Sequence, residues 1–208
     1  GSIAVVVINN EVEAKIGNYA KVGSENSRGN VTVSAKDDMV TVVLAGGVAA
    51  STSGAAVGLA NADVIASGST NAQIGDHVTV YGNNVTVTAA SDIIDIVGNL
   101  GISNGSVAVG ASIDTIVYQG TVYAGIGKGA QITTRNNGNV IVSAKSNDKL
   151  IDLVIGVGVS SGSAAVNGSV AVIVAKQNVF ALIGTPDSKN DYADAAGTKI
   201  QADGSVQV

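Results

Sequence analysis

"NVTVSAKDD" (30–38), "NVTVTAASD" (84–92) and "NVIVSAKSND" (139–148) are one phrase written three times in 208 residues. Apolar and polar residues alternate within it. Val31, Val33 and Ala35 fall on one side, Thr32 and Ser34 on the other. A period of two is the signature of a strand with one buried face. A shorter echo, "VQV", closes the chain at 206–208.

The phrase sits inside a longer repeat. "GSIAVVVINNEVEAKIG" (1–17) aligns without a gap on "GSVAVIVAKQNVFALIG" (168–184), with nine of 17 positions identical. A third version is read at "GSVAVGASIDT" (105–115), followed after a short insertion by "TVYAGIG" (121–127), and a weaker fourth at "GAAVGLANADVIASG" (54–68). After each comes a small step: Ala20-Lys21-Val22, Ala72-Gln73-Ile74, Ala130-Gln131-Ile132 and Thr198-Lys199-Ile200. The chain thus holds about three and a half copies of one unit, a periodicity that points to solenoids, propellers or arrays. The units are read as 1–53, 54–104, 105–167 and 168–208, one segment excised from a longer repeat protein.

Composition agrees with short strands and tight turns. Glycine is abundant at 27 residues, and the 46% apolar content is mostly Val, Ala and Ile. A propeller blade would need hairpins, whereas ragged corners such as Ser24–Gly29 and Thr185–Gly197 suit a solenoid, whose loops face solvent. The expected fold is all-β: a single-stranded right-handed parallel β-helix. About six short strands per unit and three per turn would give two coils per unit and roughly eight in all, a rod on the order of 40 Å tall. Val31, Val85 and Val140 should then point inward at one corner, two coils apart. "LIDLVIGVGVSSGSAAVNGSVAVIVA" (150–175) is long enough to cross a membrane as a helix. Its Gly, Ser and β-branched residues, with Asp152 and Asn167, argue for strands and against a transmembrane span. "SVAVIVA" (169–175) is apolar in both phases, so it should be covered on both sides, by a loop or by a lateral contact.

Candidate chemistry is sparse. With no cysteine, disulfides and thiol chemistry are excluded. A net charge of -5 without a basic cluster argues against nucleic acid. The carboxylate groups Asp37-Asp38, Asp92 with Asp95, Asp148 with Asp152, and Asp187 with Asp191 and Asp194 read as corner residues bonding nearby backbone amides. Weak calcium binding at stacked corners is the alternative, without the nonapeptide motif of calcium-binding β-helices. His77, the only histidine, alternates outward from Val78 and has no partner for a zinc site. "GIGKG" (125–129) lacks the ending of a phosphate loop. No nucleophile turn is recognisable. Asn30, Asn84, Asn104 and Asn167 each fit N-x-S/T and are read as left-handed turn residues. The Thr ladder of "VTV" breaks at Ile141, against an ice-binding face. No catalytic, cofactor or metal residue is assigned.

"SIAVVVINNEVEAKIGNYAKVGSENSRGNVTVSAKDD" (2–38) resembles the repeat of large filamentous haemagglutinin-type exoproteins secreted by Gram-negative bacteria, above all their fusobacterial leukotoxin group. In that group a small-residue run leads into "SVAVNVINNxTEAYIG" and then "AxVxAxGNVTVSA". The counterparts are Ser2 to Gly17, Ala20 to Val22 and Gly29 to Ala35, and Lys176-Gln177 departs from the pattern at Asn9-Asn10. The resemblance implies a right-handed β-helix, export through an outer-membrane partner pore, a secreted or cell-surface location, and adhesion or toxicity towards host leukocytes. The expected role is therefore a non-enzymatic rod for host-cell interaction. The rivals are a polysaccharide-active β-helix enzyme and an autotransporter passenger segment. An enzyme of that class needs a groove of Arg, Lys and aromatics, whereas the two arginines, Arg28 and Arg135, fall in loops and the five Tyr are scattered. Host contact, if any, is expected at the Thr185–Gly197 loop, which carries Tyr192 and Lys189.

Overall fold

A computed structural model describes residues 1–186 and 193–208. These form β1 (Ser2–Ile16), β2 (Lys21–Val22), β3 (Gly29–Ala50), β4 (Ala55–Ile74), β5 (Thr79–Ile126), β6 (Gln131–Thr134), β7 (Val140–Ile183), β8 (Thr185–Pro186), β9 (Ala193–Asp194), β10 (Lys199–Gln201) and β11 (Val206–Gln207). The chain is all-β, and its main sheet is parallel throughout. Among the described residues only the short β8–β9 pair is antiparallel. No helix among them is long and apolar enough to cross a membrane, and the apolar run 150–175 lies in β7.

Each unit pairs with the next. Val31 lies opposite Val85, Val85 opposite Val140, and Val140 opposite Val206. The repeated phrase is therefore one column of the sheet, as its spacing suggested. The step is different from the expected one, because these valines are immediate neighbours, not two coils apart. A unit advances the sheet by one strand, so two coils per unit and eight in all do not occur. The reason is strand length. The polar stretches Lys36–Asp38, Ser91-Asp92 and Ser146–Asp148 turn no corner, and extended backbone runs straight through them.

The real corners lie elsewhere. β5 doubles back near residues 105–107, where its register slips. Asn99 reaches Ile113 and Asp114 across the fold, which is possible only if the two halves of β5 face each other. β3 and β4 make the same turn at 51–54. Within a unit the halves meet through side chains, and their backbone hydrogen bonds run to neighbouring units. Near this turn the halves come so close that a Cβ on Gly47 would stand 2.3 Å from the Leu59 carbonyl oxygen. Only glycine fits there. At the open end a short segment closes the unit, with Lys21, Thr79, Gln131 and Lys199 in one column.

The pairing also corrects the repeat alignment. Ser2, Ala60, Ser112 and Ser169 share a column. The 1–17 and 168–184 motifs are thus true equivalents. The third copy begins at Ala111, six residues after the Gly105 that the sequence suggested. "SIDTIVYQGTVYAGIG" (112–127) then matches 2–17 without any insertion, with seven of 16 identities. Likewise Lys21 pairs with Thr79, so the second small step is Val78-Thr79-Val80 and not Ala72-Gln73-Ile74.

The core sits beside the short closing segment, at the end of each unit away from the turns at 51–54 and 105–107. Val33, Ile74, Val80, Val87, Ile126, Ile132 and Val142 form its centre. A second cluster lies further out, around Val64, Ile93, Val97, Ile116 and Tyr118. In the first cluster like side chains stack above one another, as in the Val33, Val87 and Val142 column, and in the second the large Tyr118 lies between the small Ala66 and Ala175.

Candidate functional site: a buried carboxyl cluster

Alternation continued along an unbroken strand has a chemical consequence. From Val85 the odd-numbered residues point inward, which carries Ser91, Asp95, Asn99 and Ser103 into the interior. After the turn at 105–107 the phase changes, and the even-numbered Ser112, Asp114, Ile116 and Tyr118 point inward. The next unit adds Asp148 and Asp152, the previous one Asp37 and Thr41. Five carboxyl groups thus lie inside the fold.

Their surroundings differ. Asp37 accepts a hydrogen bond from Asn10 Nδ2 at 2.8 Å. Asp114 is fully buried and accepts from Asn99 Nδ2 at 2.7 Å, leaving its second oxygen without a protein partner. Asp95 is also fully buried and sits opposite Thr41, whose hydroxyl falls short of a hydrogen bond with it. Burial raises the Asp95 pKa, and the Thr41 hydroxyl offsets this in part. Asp148 accepts from Ser146 Oγ at 3.0 Å. Its pKa is raised chiefly by burial, with Asp95 and Asp92 adding to the effect. Asp152 neighbours Asp114, and both its oxygens are sealed from solvent. Burial first, then the Asp114 carboxyl beside it, pushes Asp152 up to about 6. The Tyr118 hydroxyl, buried near Asp148, is pushed up to about 12.

Such a cluster can hold protons. Asp95 and Asp114 are fully buried, Asp148 and Asp152 on the last long strand are half-buried, and among the described residues no group of three or more His, Asp or Glu is arranged to hold a metal ion. An open depression near the amino terminus, between Ile3, Leu59 and Ile113, has no ionisable side chain in its lining.

The other residues singled out in the sequence have plain structural places. Asp38 points outward and pairs with Lys36 at 2.6 Å, and Asp92 accepts from Asn147 Nδ2 at 3.1 Å. Six of the carboxylates read as corner residues are therefore mid-strand residues: Asp37, Asp95, Asp148 and Asp152 face inward, Asp38 and Asp92 outward. Asp194 lies 3.6 Å from Lys128, while Asp187, Lys189, Asp191 and Tyr192 fall outside the described residues. His77 is exposed, as expected, and stacks on Tyr19 with ring centroids 5.1 Å apart. Both occupy a turn column that needs left-handed backbone: Tyr19, His77, Gly129 and Gly197 have φ of 61°, 55°, 69° and 73°. In "GIGKG" the amides of Gly127 and Gly129 bond the carbonyls of Ile74 and Ala196, which leaves no anion cradle there.

Asn30, Asn84, Asn104 and Asn167 are not left-handed, in contrast to their reading as turn residues; strand pairing holds Asn104 and Asn167 extended, while Asn30 and Asn84 lie where the register shifts. Two of them build a ladder between units. Asn84 Nδ2 donates to Asn30 Oδ1 at 3.0 Å, and Asn84 Oδ1 accepts from the Asn139 amide at 3.0 Å. Asn139 Oδ1 accepts in turn from Ser205.

Asp114, Asn99 and Tyr118 were not singled out in the sequence. The signal was present in the alternation, but it is readable only if the strand is known to run on past Asp92.

No family model, no curated protein and no solved structure matches this chain.

Proposed function

We propose that the chain is a non-enzymatic structural segment of a large secreted bacterial exoprotein of the filamentous haemagglutinin type, built as a right-handed parallel β-helix. Its repeat units would stack into a rod presented to host cells at, or released from, a Gram-negative surface. The observation that carries this reading is the in-register parallel pairing of each unit on the next, through Val31, Val85, Val140 and Val206. A unit that repeats by hydrogen bonding to its own copy extends without limit, which is what a spacer or adhesive shaft requires. The burial of the carboxylates supports the same reading. A polysaccharide-active enzyme would display acid and base groups to an extended sugar chain, whereas Asp95 and Asp114 are sealed inside.

The test uses the purified chain in two assays. Saturable binding to leukocytes, measured by flow cytometry, with no cleavage of acidic polysaccharides supports an adhesive rod. Binding to neither, with the fold intact, supports a spacer. Release of sugar fragments that Asp95→Asn or Asp152→Asn abolishes would overturn the non-enzymatic reading.

A further inference from the structure

At one level of the stack two carboxyl groups take the place of an alanine and a valine. Asp114 stands in a column with Ala4, Ala62 and Ala171, and Asp152 in a column with Val43 and Val97. By register the counterparts of Asp114 and Asp152 are Ala62 with Val97, and Ala4 with Val43, all of which belong to the outer apolar cluster. Where β7 packs across the second half of β5, the two carboxyl groups lie within hydrogen-bonding reach of each other. Asp114 Oδ1 is taken by Asn99 Nδ2 at 2.7 Å. Its Oδ2 and both oxygens of Asp152 are closed to solvent and receive no amide, hydroxyl or cationic donor.

We propose that Asp114 and Asp152 share one proton and form a pH-operated seam between two repeat units, closed in acid and loosened near neutral pH. The inference holds whether the segment is adhesive or a spacer. Two carboxylates facing each other in an apolar column cannot both stay ionised without repelling. One proton between them turns the repulsion into an O–H···O bond, with Asp152 donating and Asp114 Oδ2 accepting. Asn99 already fixes Asp114 as the acceptor, because its Nδ2 donates to the other oxygen. Burial, and then the Asp114 carboxyl, lifts Asp152 to about 6. The closed pair therefore holds its proton more tightly than a solvated Asp. Closure is complete below about pH 4 and is lost as pH rises through about 6.

No neighbouring charge relieves the pair. On the same inner face stand Asp95, one inward position before Val97, and Asp148, two before Asp152. Burial raises both, and both add negative charge once ionised. Tyr118, two inward positions beyond Asp114, is pushed up to about 12 and keeps its proton throughout. β4 and the second half of β7 bring Ala62 and Ala171 to this level, neither of them titratable. Lys145, Lys149 and Lys176 are exposed. A hard metal ion would need about six to eight oxygen ligands, and the side chains of Ala62, Val97 and Ala171 supply none. A proton is the cation that fits.

Amide hydrogen exchange of the intact chain, followed by mass spectrometry at about pH 5 and about pH 7.5 in a chelating buffer and corrected for the intrinsic rate, tests this. Peptides from 148–156 should lose protection on the order of tenfold or more at the higher pH. Peptides from 40–46 and 60–66, around Val43 and Ala62, should change by less than about twofold. Asp114→Ala with Asp152→Val restores the pair found at the other levels and should abolish the difference. If that variant does not fold, Asp152→Asn decides. Its amide donates to Asp114 Oδ2 at every pH, so the protection seen in acid should persist at about pH 7.5. An equal pH response in all peptides would show a global effect and overturn the seam. A response at 148–156 that survives these substitutions would assign it to Asp95 and Asp148 and also overturn it. Recovery of protection at neutral pH by millimolar Ca²⁺ would make the pair a metal site and overturn the shared proton.

Discussion

Asn99 and Asp114 are joined side chain to side chain, Nδ2 to Oδ1 at 2.7 Å, across the interior of one repeat unit. The same Nδ2 also reaches the Ile113 carbonyl at 3.2 Å. One amide thus ties together the two facing halves of β5, where the apolar core has given way to polar residues.

Replacing Asn99 by Leu removes a side-chain donor to the fully buried Asp114 carboxylate. The expected loss is about 1–3 kcal/mol, the penalty of leaving a buried acceptor unsatisfied. Asn99→Leu combined with Asp114→Ala should recover part of it, because the orphaned group is gone. Urea denaturation of the four proteins of this cycle measures the coupling. Additive single effects would show that the bond contributes nothing.

The raised carboxyl groups set a pH dependence. Asp95, Asp148 and Asp152 all titrate higher in the folded chain than the ordinary value of 3.8, Asp152 at about 6. The folded state therefore binds more protons than the unfolded state between these values. Stability is fully present below about pH 4 and declines as pH rises through 6, where the buried groups must ionise. Melting followed by circular dichroism should give a higher Tm at pH 4.5 than at pH 7.5, and Asp152→Asn should flatten the difference. A Tm that climbs from pH 4.5 to 7.5 would contradict the assignment.

Inward and outward positions of the repeated phrase should respond differently to the same change. Val87 is fully buried and Thr32 is exposed. Val87→Asp introduces an unpaired charge into an apolar column and should cost several kcal/mol, on the order of 3 or more. Thr32→Asp should cost under about 1 kcal/mol. Val33, at the less covered end of its column, should fall between the two. Thermal denaturation of the three variants ranks them.

The left-handed turn column gives a matched pair. A Cβ at Gly197 would be 3.6 Å from its nearest neighbour, so Gly197→Ala pays only for its positive φ, about 1 kcal/mol. At Gly129 the added carbon would stand 2.3 Å from His77 Nδ1. Gly129→Ala should therefore cost more, and it should displace the His77 ring from its stack on Tyr19. Chemical denaturation gives the order of the two variants, and the His77 ring resonances report the stacking.

Much of this protein was legible in its sequence. The alternation of Val31, Val33 and Ala35, and its return at Val85 and Val140, determined an all-β chain whose copies lie side by side. Those statements rest on local geometry and on repetition, and both are linear properties. Whether a polar stretch such as Lys36–Asp38 bends the chain is not linear. Asp, Ser and Lys are equally at home in a turn and on the outer face of a strand. Tertiary packing decided the matter: the neighbouring unit offers a backbone partner at every residue from Val31 to Ala50, and continuing the ladder satisfies each amide. That one decision carried the rest. It halved the number of strands stacked per chain length, placed Asp95 and Asp114 inside, and turned Leu44, Leu100 and Leu153 out. The sequence supplied the alternation, but only the folded chain fixed how far it runs, because the energy of a strand resides in the strand beside it.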